Sequence, residues 1–457
     1  MRQRKTFGSW LVLFVMLLCL IPSVAPRQLI PQVEAAPNVT ATYKAPDGLL
    51  ITSYSPAWAE EDKLKALYNE LLQNVHGKEI DLLGEVVIYD DYPHGKTVAG
   101  QYFFQTLTVF FPSKPQMQPG KIELYGGKEH NTVGSFAHTL AHEYGHHVTH
   151  YYTLQTDGYS LVDENRWRKT TYAAMRGLAE DNRVCVSGCD HRWMIAEIAA
   201  EDYVQLFGSP LSKAQTAFPS RIEQAMAGVE PGPVSWNGSM YNVQPQENHL
   251  LPMASEVPGL YDFFYSKMKG KSGNYHPPAK PNLKLESYSD VAGAGYQLHF
   301  SWDIAGRTDD AYSYTLVTYK DDEQLGEPIV TRKPGEKHEV SYGSVLVRKG
   351  AFLYTFEEPG GEEGKRHFKL YAFDKNGWVS DSHELTVDMA DPSEVTVSDS
   401  KVIPVAHTPE PEGDSMGLDW LYHMDIKVDL SWLERIVDFF DMMIEGVSSV
   451  VDFFLGE

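Results

Sequence analysis

The stretch Ser135–Tyr152, SFAHTLAHEYGHHVTHYY, decides how the first half of the chain is read. Residues four apart share one face of a helix, so His142 and His146 can turn imidazole nitrogens toward a single metal ion. Glu143 follows the first of them, where its carboxylate can act on water at the ion. Phe136, Leu140 and Val148 supply the apolar stripe of the same helix. Gly145 lowers helix propensity, and its missing side chain would admit another backbone element at close range. His138, His147 and His150 enrich the helix further, and His138/His142 also has ligand spacing.

A third ligand separates a metal helix from one that is merely rich in histidine. Some fifty residues on, Met194–Gly208 reads MIAEIAAEDYVQLFG, a buried-looking helix closed by Gly208 and Pro210. Glu197 and Glu201 share a face. Carboxylates on an apolar helix are costly unless they pair or bind metal. One can ligate the ion, and the other can hold the far nitrogen of a ligand histidine. The plainer alternative is an acidic solvated face of Glu197, Glu201 and Asp202.

H-E-x-x-H followed by a helix with E-x-x-x-[DE] resembles the gluzincin zinc metallopeptidases, the group of thermolysin and the catalytic domain of anthrax lethal factor. The resemblance covers His138–Gly208. It implies an α+β zincin-like domain acting on a polypeptide substrate, with one Zn2+ ion held by His142, His146 and Glu197. Glu143 would be the general base and Glu201 the carboxylate behind a ligand histidine. The reverse assignment, with Glu201 as ligand, stays open. Family members also place a Tyr or His donor near the scissile carbonyl. The candidates are His191, Tyr203, Tyr241 and His249. A strand edge should bind extended substrate, and Lys121–Tyr125 or Thr97–Phe111 would serve.

Outward from this core, the start of the chain reads as a secretory signal peptide over residues 1–35. Arg2, Arg4 and Lys5 precede the apolar run Trp10–Ile21, and small residues lie before a cut after Ala35. A secreted or cell-envelope location follows, with no transmembrane span in the mature chain. Cys185 and Cys189 then form a local disulfide by default. A second metal site with Asp190 and His191 is the alternative. The 62 acidic against 39 basic residues, a net charge of −23, argue against nucleic acid as a partner.

The first domain should fill 36–272, followed by a linker at 273–281. Tyr296, Leu298, Phe300 and Trp302 then alternate with polar residues, and Tyr312–Tyr319 and His367–Phe373 behave similarly, as half-buried strands. FKLYAFDKNGWVSDS (368–382) resembles the last hairpin of a fibronectin type III domain, which implies an all-β fibronectin III/Ig-like sandwich over 282–389 acting as a spacer or binding module. A second linker (390–417) leads to an amphipathic, acidic helical tail (418–457), suited to self-association or envelope contact. The leading expectation is a secreted zinc endopeptidase. The alternative is a non-catalytic envelope or binding protein on a degenerate zinc-bearing fold.

Overall fold

A computed structural model describes residues 38–407, apart from 94–97, 108–114, 233–242, 244, 292–294, 305–310, 322, 324–325, 350–351, 359–363 and 399–400. The expected signal peptide and the 418–457 tail lie outside the described residues. Among the described residues no helix is long and apolar enough to cross a membrane. The chain is a mixed α and β protein in which, among the described residues, the helices precede residue 270 and strands alone follow from Pro281.

The first half centres on a five-stranded sheet of β1 (Ala41–Lys44), β2 (Leu50–Ser53), β3 (Leu83–Ile88), β4 (Gly100–Phe103) and β7 (Gly120–Leu124). They lie in the order β1-β2-β3-β7-β4. A small pair, β5 (Thr106–Leu107) and β6 (Gln116–Met117), lies beside it. β7 runs parallel to β3 and antiparallel to β4, so β7 is interior and β4 is the edge. Of the two segments expected to offer a free edge, the second supplies, among the described residues, the edge strand β4. Lys121–Tyr125 does not, because its ladder groups are already paired on both sides.

Among the described residues six α-helices accompany the sheet: α1 (Glu61–Leu71), α2 (Val133–Asp157), α3 (Thr171–Met175), α4 (Ile195–Phe207), α5 (Arg221–Met226) and α6 (Leu260–Lys269). α2 begins at Thr132, whose hydroxyl accepts the Ser135 N–H at 3.1 Å, and stops at Gly158, which adopts φ +81°. Its stripe of Phe136, Leu140 and Val148 is wholly buried, with Trp58, Ile122 and Leu124 in the same core.

The second half is a sandwich of two sheets. One joins β10 (Ser313–Tyr319), β11 (Glu327–Arg332), β14 (Lys365–Phe373), β15 (Val379–Asp381), β16 (Leu385–Asp388), β17 (Glu394–Val397) and β18 (Lys401–Pro404). The other joins β8 (Pro281–Asp290), β9 (Tyr296–Ile304), β12 (Glu339–Lys349), β13 (Phe352–Glu357) and β19 (Ala406–His407). Leu298, Phe300 and Trp302 are buried in the core between them, as their alternation predicts.

Two expectations need correction. The linker drawn at 390–417 begins too early, since β17 and β18 extend the first sheet and β19 pairs in parallel with β8. Acidic and Ser-rich composition disguises these strands, yet Val395 alternates into the core. Nor is β10 half-buried, and β14 alternates only from Lys365 to Leu370 before its last residues are buried on both faces. From Tyr314 to Tyr319 every residue of β10 is buried, because the sheet's outer face carries the first half of the chain. Ala141, Val204, Phe218, Val243 and Met253 form one core there with Val317, Tyr319, Tyr371, Phe373 and Val379. The expected 273–281 linker is itself packed, with Tyr275 stacked on Tyr261 and set edge-on to Trp378.

A separate contact, of α5 against β12 of the other sheet, buries charge. Glu358 lies 3.6 Å from Arg221 of α5. Burial pushes its carboxyl up to about 7, against the pull of Arg221. The unfolded chain, with an ordinary carboxyl, loses this proton near pH 4.5, whereas the folded chain keeps it to about pH 7. Stability from this group is therefore full below pH 4.5 and declines as pH rises to 7, by up to about 3 kcal/mol. Urea titrations at pH 5 and 7.5 should show a smaller pH dependence in Glu358→Gln than in the wild type. Equal slopes would refute the assignment.

Candidate metal centre

Two helices build the site, and a glycine sets their separation. At Gly145 of α2 a Cβ would lie 2.9 Å from the Ala200 carbonyl oxygen of α4. Only hydrogen fits there, so the backbones meet and the polar faces of the two helices converge.

His142 bridges both carboxylates of α4. Its Nδ1–H donates to Glu201 Oε1 at 2.7 Å, which leaves Nε2 facing Glu197 Oε2 at 3.0 Å. His146 Nε2 lies 3.2 Å from the same Glu197 oxygen. One atom each of His142, His146 and Glu197 thus falls within 4.8 Å of the others. Glu201 faces the opposite nitrogen of His142, so the geometry favours Glu197 as ligand and Glu201 as the group that fixes the imidazole. Asp202 points elsewhere. It is buried in a two-pronged pair with Arg176, at 2.8 and 3.0 Å, and accepts the Tyr172 hydroxyl at 2.7 Å. The three acids therefore do not form a solvated face.

The electrostatics of the cluster are set by these contacts. Burial alone would lower the pKa of His142, but its bonds to Glu197 and Glu201 outweigh this and hold it well above the ordinary imidazole range. Burial likewise raises Glu197, yet His146 and His142 hold it far below the usual carboxylate range. Two imidazole nitrogens and one carboxylate oxygen around a place that favours positive charge suit a zinc ion. Glu201→Gln should weaken zinc binding about 10–100-fold, and Glu197→Ala by more, in competition with a chromophoric chelator. Wild-type affinity in both variants would remove these residues from the site.

The remaining histidines of α2 have other partners. His138 Nδ1–H donates to the Ser212 carbonyl at 3.2 Å, so the His138/His142 pairing is not the one that converges. His147 accepts the Tyr102 hydroxyl at Nδ1 (2.7 Å) and donates from Nε2 to the Glu79 carbonyl (2.7 Å). His150 Nδ1 accepts the Ser160 hydroxyl at 2.8 Å. Burial pushes His147 down to about 4 and His150 to about 3, so both stay neutral near pH 7.

Glu143 is 6% exposed, and burial raises its carboxyl against the attraction of His142 and His146. The edge strand β4 crosses directly above it. A Cβ at Gly100 would stand 2.7 Å from Thr139 Cγ2 and 2.8 Å from Glu143 Oε1, so a larger residue here would push these side chains aside. Between β4 and the start of α4 opens a cleft of about 780 Å³, lined by Gly100, Tyr102, Thr139, Glu143, His191 and Glu197 among others.

Of the four donor candidates, His191 reaches this cleft. Its Nε2 lies 3.4 Å from Glu197 Oε2 and its Nδ1 2.7 Å from Glu247 Oε2. The bond to Glu247 raises its pKa despite partial burial. Tyr203 donates to the Val75 carbonyl at 2.8 Å, away from the cleft, and the His249 ring packs at a tilt against Tyr319. Tyr241 lies outside the described residues. Cys185 and Cys189 are joined in a disulfide. The alternative metal site with Asp190 and His191 is therefore not formed. Cys185 also bonds through its backbone to Trp193 and Ile195, which fixes the entry into α4.

Tyr102, Glu247 and the Arg176–Asp202 pair escape a reading of the sequence. Each lies far along the chain from its partner or in a segment without periodic pattern, and only folding brings them to the site.

A family model whose description names no activity matches residues 58–182, a minority of the chain that includes the His142 helix. No curated protein sequence matches. Among solved structures, the chain is similar to the fibronectin type III domain of human fibronectin type III domain containing protein 3. The identity is 19%, the coverage 27% of this chain and 95% of that domain, and the TM-score 0.17. It is also similar to OgpA from Akkermansia muciniphila in two crystal forms. The first match has 8% identity, coverage of 67% of this chain and 65% of OgpA, and a TM-score of 0.20. The second has 10% identity, coverage of 69% and 66%, and a TM-score of 0.21. The chain thus spans just under two thirds of OgpA's length.

Proposed function

We propose that this chain is a secreted zinc-dependent endopeptidase of gluzincin type. The observation that carries the reading is the convergence of His142, His146 and Glu197 beside the buried Glu143, in a cleft lined by the strand that forms the sheet's edge among the described residues. A zinc ion held by these three residues would supply Lewis acidity, polarising a carbonyl and making water a stronger acid.

The chain's own residues do the rest. An extended peptide adds to the free edge of β4 by backbone hydrogen bonds. Gly100 leaves room for its carbonyl to reach the floor of the cleft. Glu143 takes a proton from water on its carboxylate and delivers it to the leaving amine nitrogen. Glu201 keeps the His142 proton on Nδ1, so that Nε2 remains a ligand. His191, oriented by Glu247, presents Nε2–H to the carbonyl oxygen as negative charge develops there. A disulfide between Cys185 and Cys189 accords with folding outside the cytoplasm.

The test is digestion of a broad peptide mixture by residues 36–457 loaded with zinc, with cuts located by mass spectrometry. Internal cuts that vanish on chelation and return with zinc are expected. A folded, zinc-loaded protein that leaves every peptide intact would overturn the reading in favour of a binding protein.

A further inference from the structure

Besides the direct packing of α2 and α4 on it, the sandwich reaches the rim of the cleft through a loop. Residues 245–251 lie between α4 and the outer face of the β10–β14 sheet. On the α4 side, Gln205 donates to Gln246 Oε1 at 3.0 Å, and Gln246 in turn donates to the Asn248 and Leu251 carbonyls. Asn248 donates to the Arg192 carbonyl at 3.0 Å, next to His191. On the sandwich side, the His249 ring lies 4.2 Å from the Tyr319 ring, centroid to centroid. Lys369, paired with Asp381 at 2.9 Å, reaches the His249 carbonyl at 3.5 Å. Glu247 sits midway along this loop, and its carboxylate holds His191 at the mouth of the cleft.

We infer that Tyr319 and Lys369 of the sandwich are positioning residues for His191: they clamp the 245–251 loop and thereby hold Glu247 in place. The sandwich is on this account a part of the active site's support, and neither a spacer nor a separate binding module. The loop carries a short backbone path with few regular hydrogen bonds, and a contact on one side only would leave Glu247 free to swing with it. A misplacement of about 1 Å at a catalytic group is enough to lower turnover strongly. The inference rests on the peptidase reading of the cleft for its effect on rate. The clamp itself is a statement about the loop and can be tested apart from activity.

The experiment compares Tyr319→Leu, which removes the ring, with Tyr319→Phe, which keeps it, in the full zinc-loaded chain. His249→Ala opens the same contact from the loop side should Tyr319→Leu fail to fold. Three readouts are taken: zinc content, kcat and KM on a cleaved peptide, and hydrogen–deuterium exchange of the 246–251 amides. The expected result for Tyr319→Leu is unchanged zinc and KM, faster exchange in the loop, and kcat lower by roughly 10-fold or more. Tyr319→Phe should recover most of the loss. In a Glu247→Ala background the same substitution should lower kcat no further, because both act through His191. Unchanged exchange, or losses that multiply in the double variant, would overturn the clamp. A wild-type protein that cuts no peptide overturns the peptidase reading, and the exchange result then decides the clamp alone.

Discussion

Replacing Glu143 by Gln should lower kcat/KM by about 10²–10⁴-fold, the range typical of a lost general base. The amide keeps the size of the carboxylate but has no site for the proton that water must surrender. The ligand atoms of His142, His146 and Glu197 are untouched, so zinc content should match the wild type. Stability should not fall either. Burial opposes the charged form of Glu143, and a neutral side chain at this position relieves that opposition. The combination of full zinc, full stability and lost cleavage separates loss of chemistry from loss of structure. Turnover within a few-fold of wild type, with zinc bound, would assign the base elsewhere.

The second large effect concerns stability. Arg176 and Asp202 are almost wholly enclosed, and the Arg176 guanidinium also donates to the Pro252 carbonyl at 2.7 Å. Arg176→Met leaves Asp202 buried with only the Tyr172 hydroxyl for company. Breaking a buried pair from one side costs about 3–5 kcal/mol. That is a large fraction of the roughly 5–15 kcal/mol by which a folded domain exceeds its unfolded chain. Denaturant midpoints should fall accordingly. Arg176→Met with Asp202→Leu should recover much of the loss, since no charge is then stranded. A double variant no more stable than the single one would show that Arg176 acts mainly through Pro252.

What was legible in the sequence followed from local periodicity. Phe136, Leu140 and Val148 mark the buried stripe of α2, and His142 and His146 fall one turn apart whatever the rest of the chain does. The choice between Glu197 and Glu201 was not legible. Both lie on one face of α4, and the helix crossing decides which meets Nε2. The crossing depends on contact between Gly145 and Ala200, residues 55 positions apart in the chain. Glu247 and Tyr102 gave no signal because each acts across a long sequence interval from a loop or an edge strand. The interface on β10 and β14 did leave a trace. Tyr314–Tyr319 is apolar on both faces apart from Thr315 and Thr318, which is more than a one-sided strand requires. Strands β17 to β19 were hidden by the acidic, Ser-rich segment that carries them.

The backbone-on-backbone contact at Gly145 has a bearing on how such a chain can change over generations. The spacing of His142, His146 and Glu197 is set at a backbone contact, with the second α-hydrogen that glycine alone carries on one side and a main-chain oxygen on the other. Substitutions at the exposed positions of α2 and α4 can accumulate while this fulcrum stays still, and the distances between ligands hardly register them. Any side chain at 145, even a methyl group, moves the fulcrum itself. Genetic drift should therefore be confined to the exposed positions of both helices and be nearly nil at this one glycine, although Gly145 binds nothing.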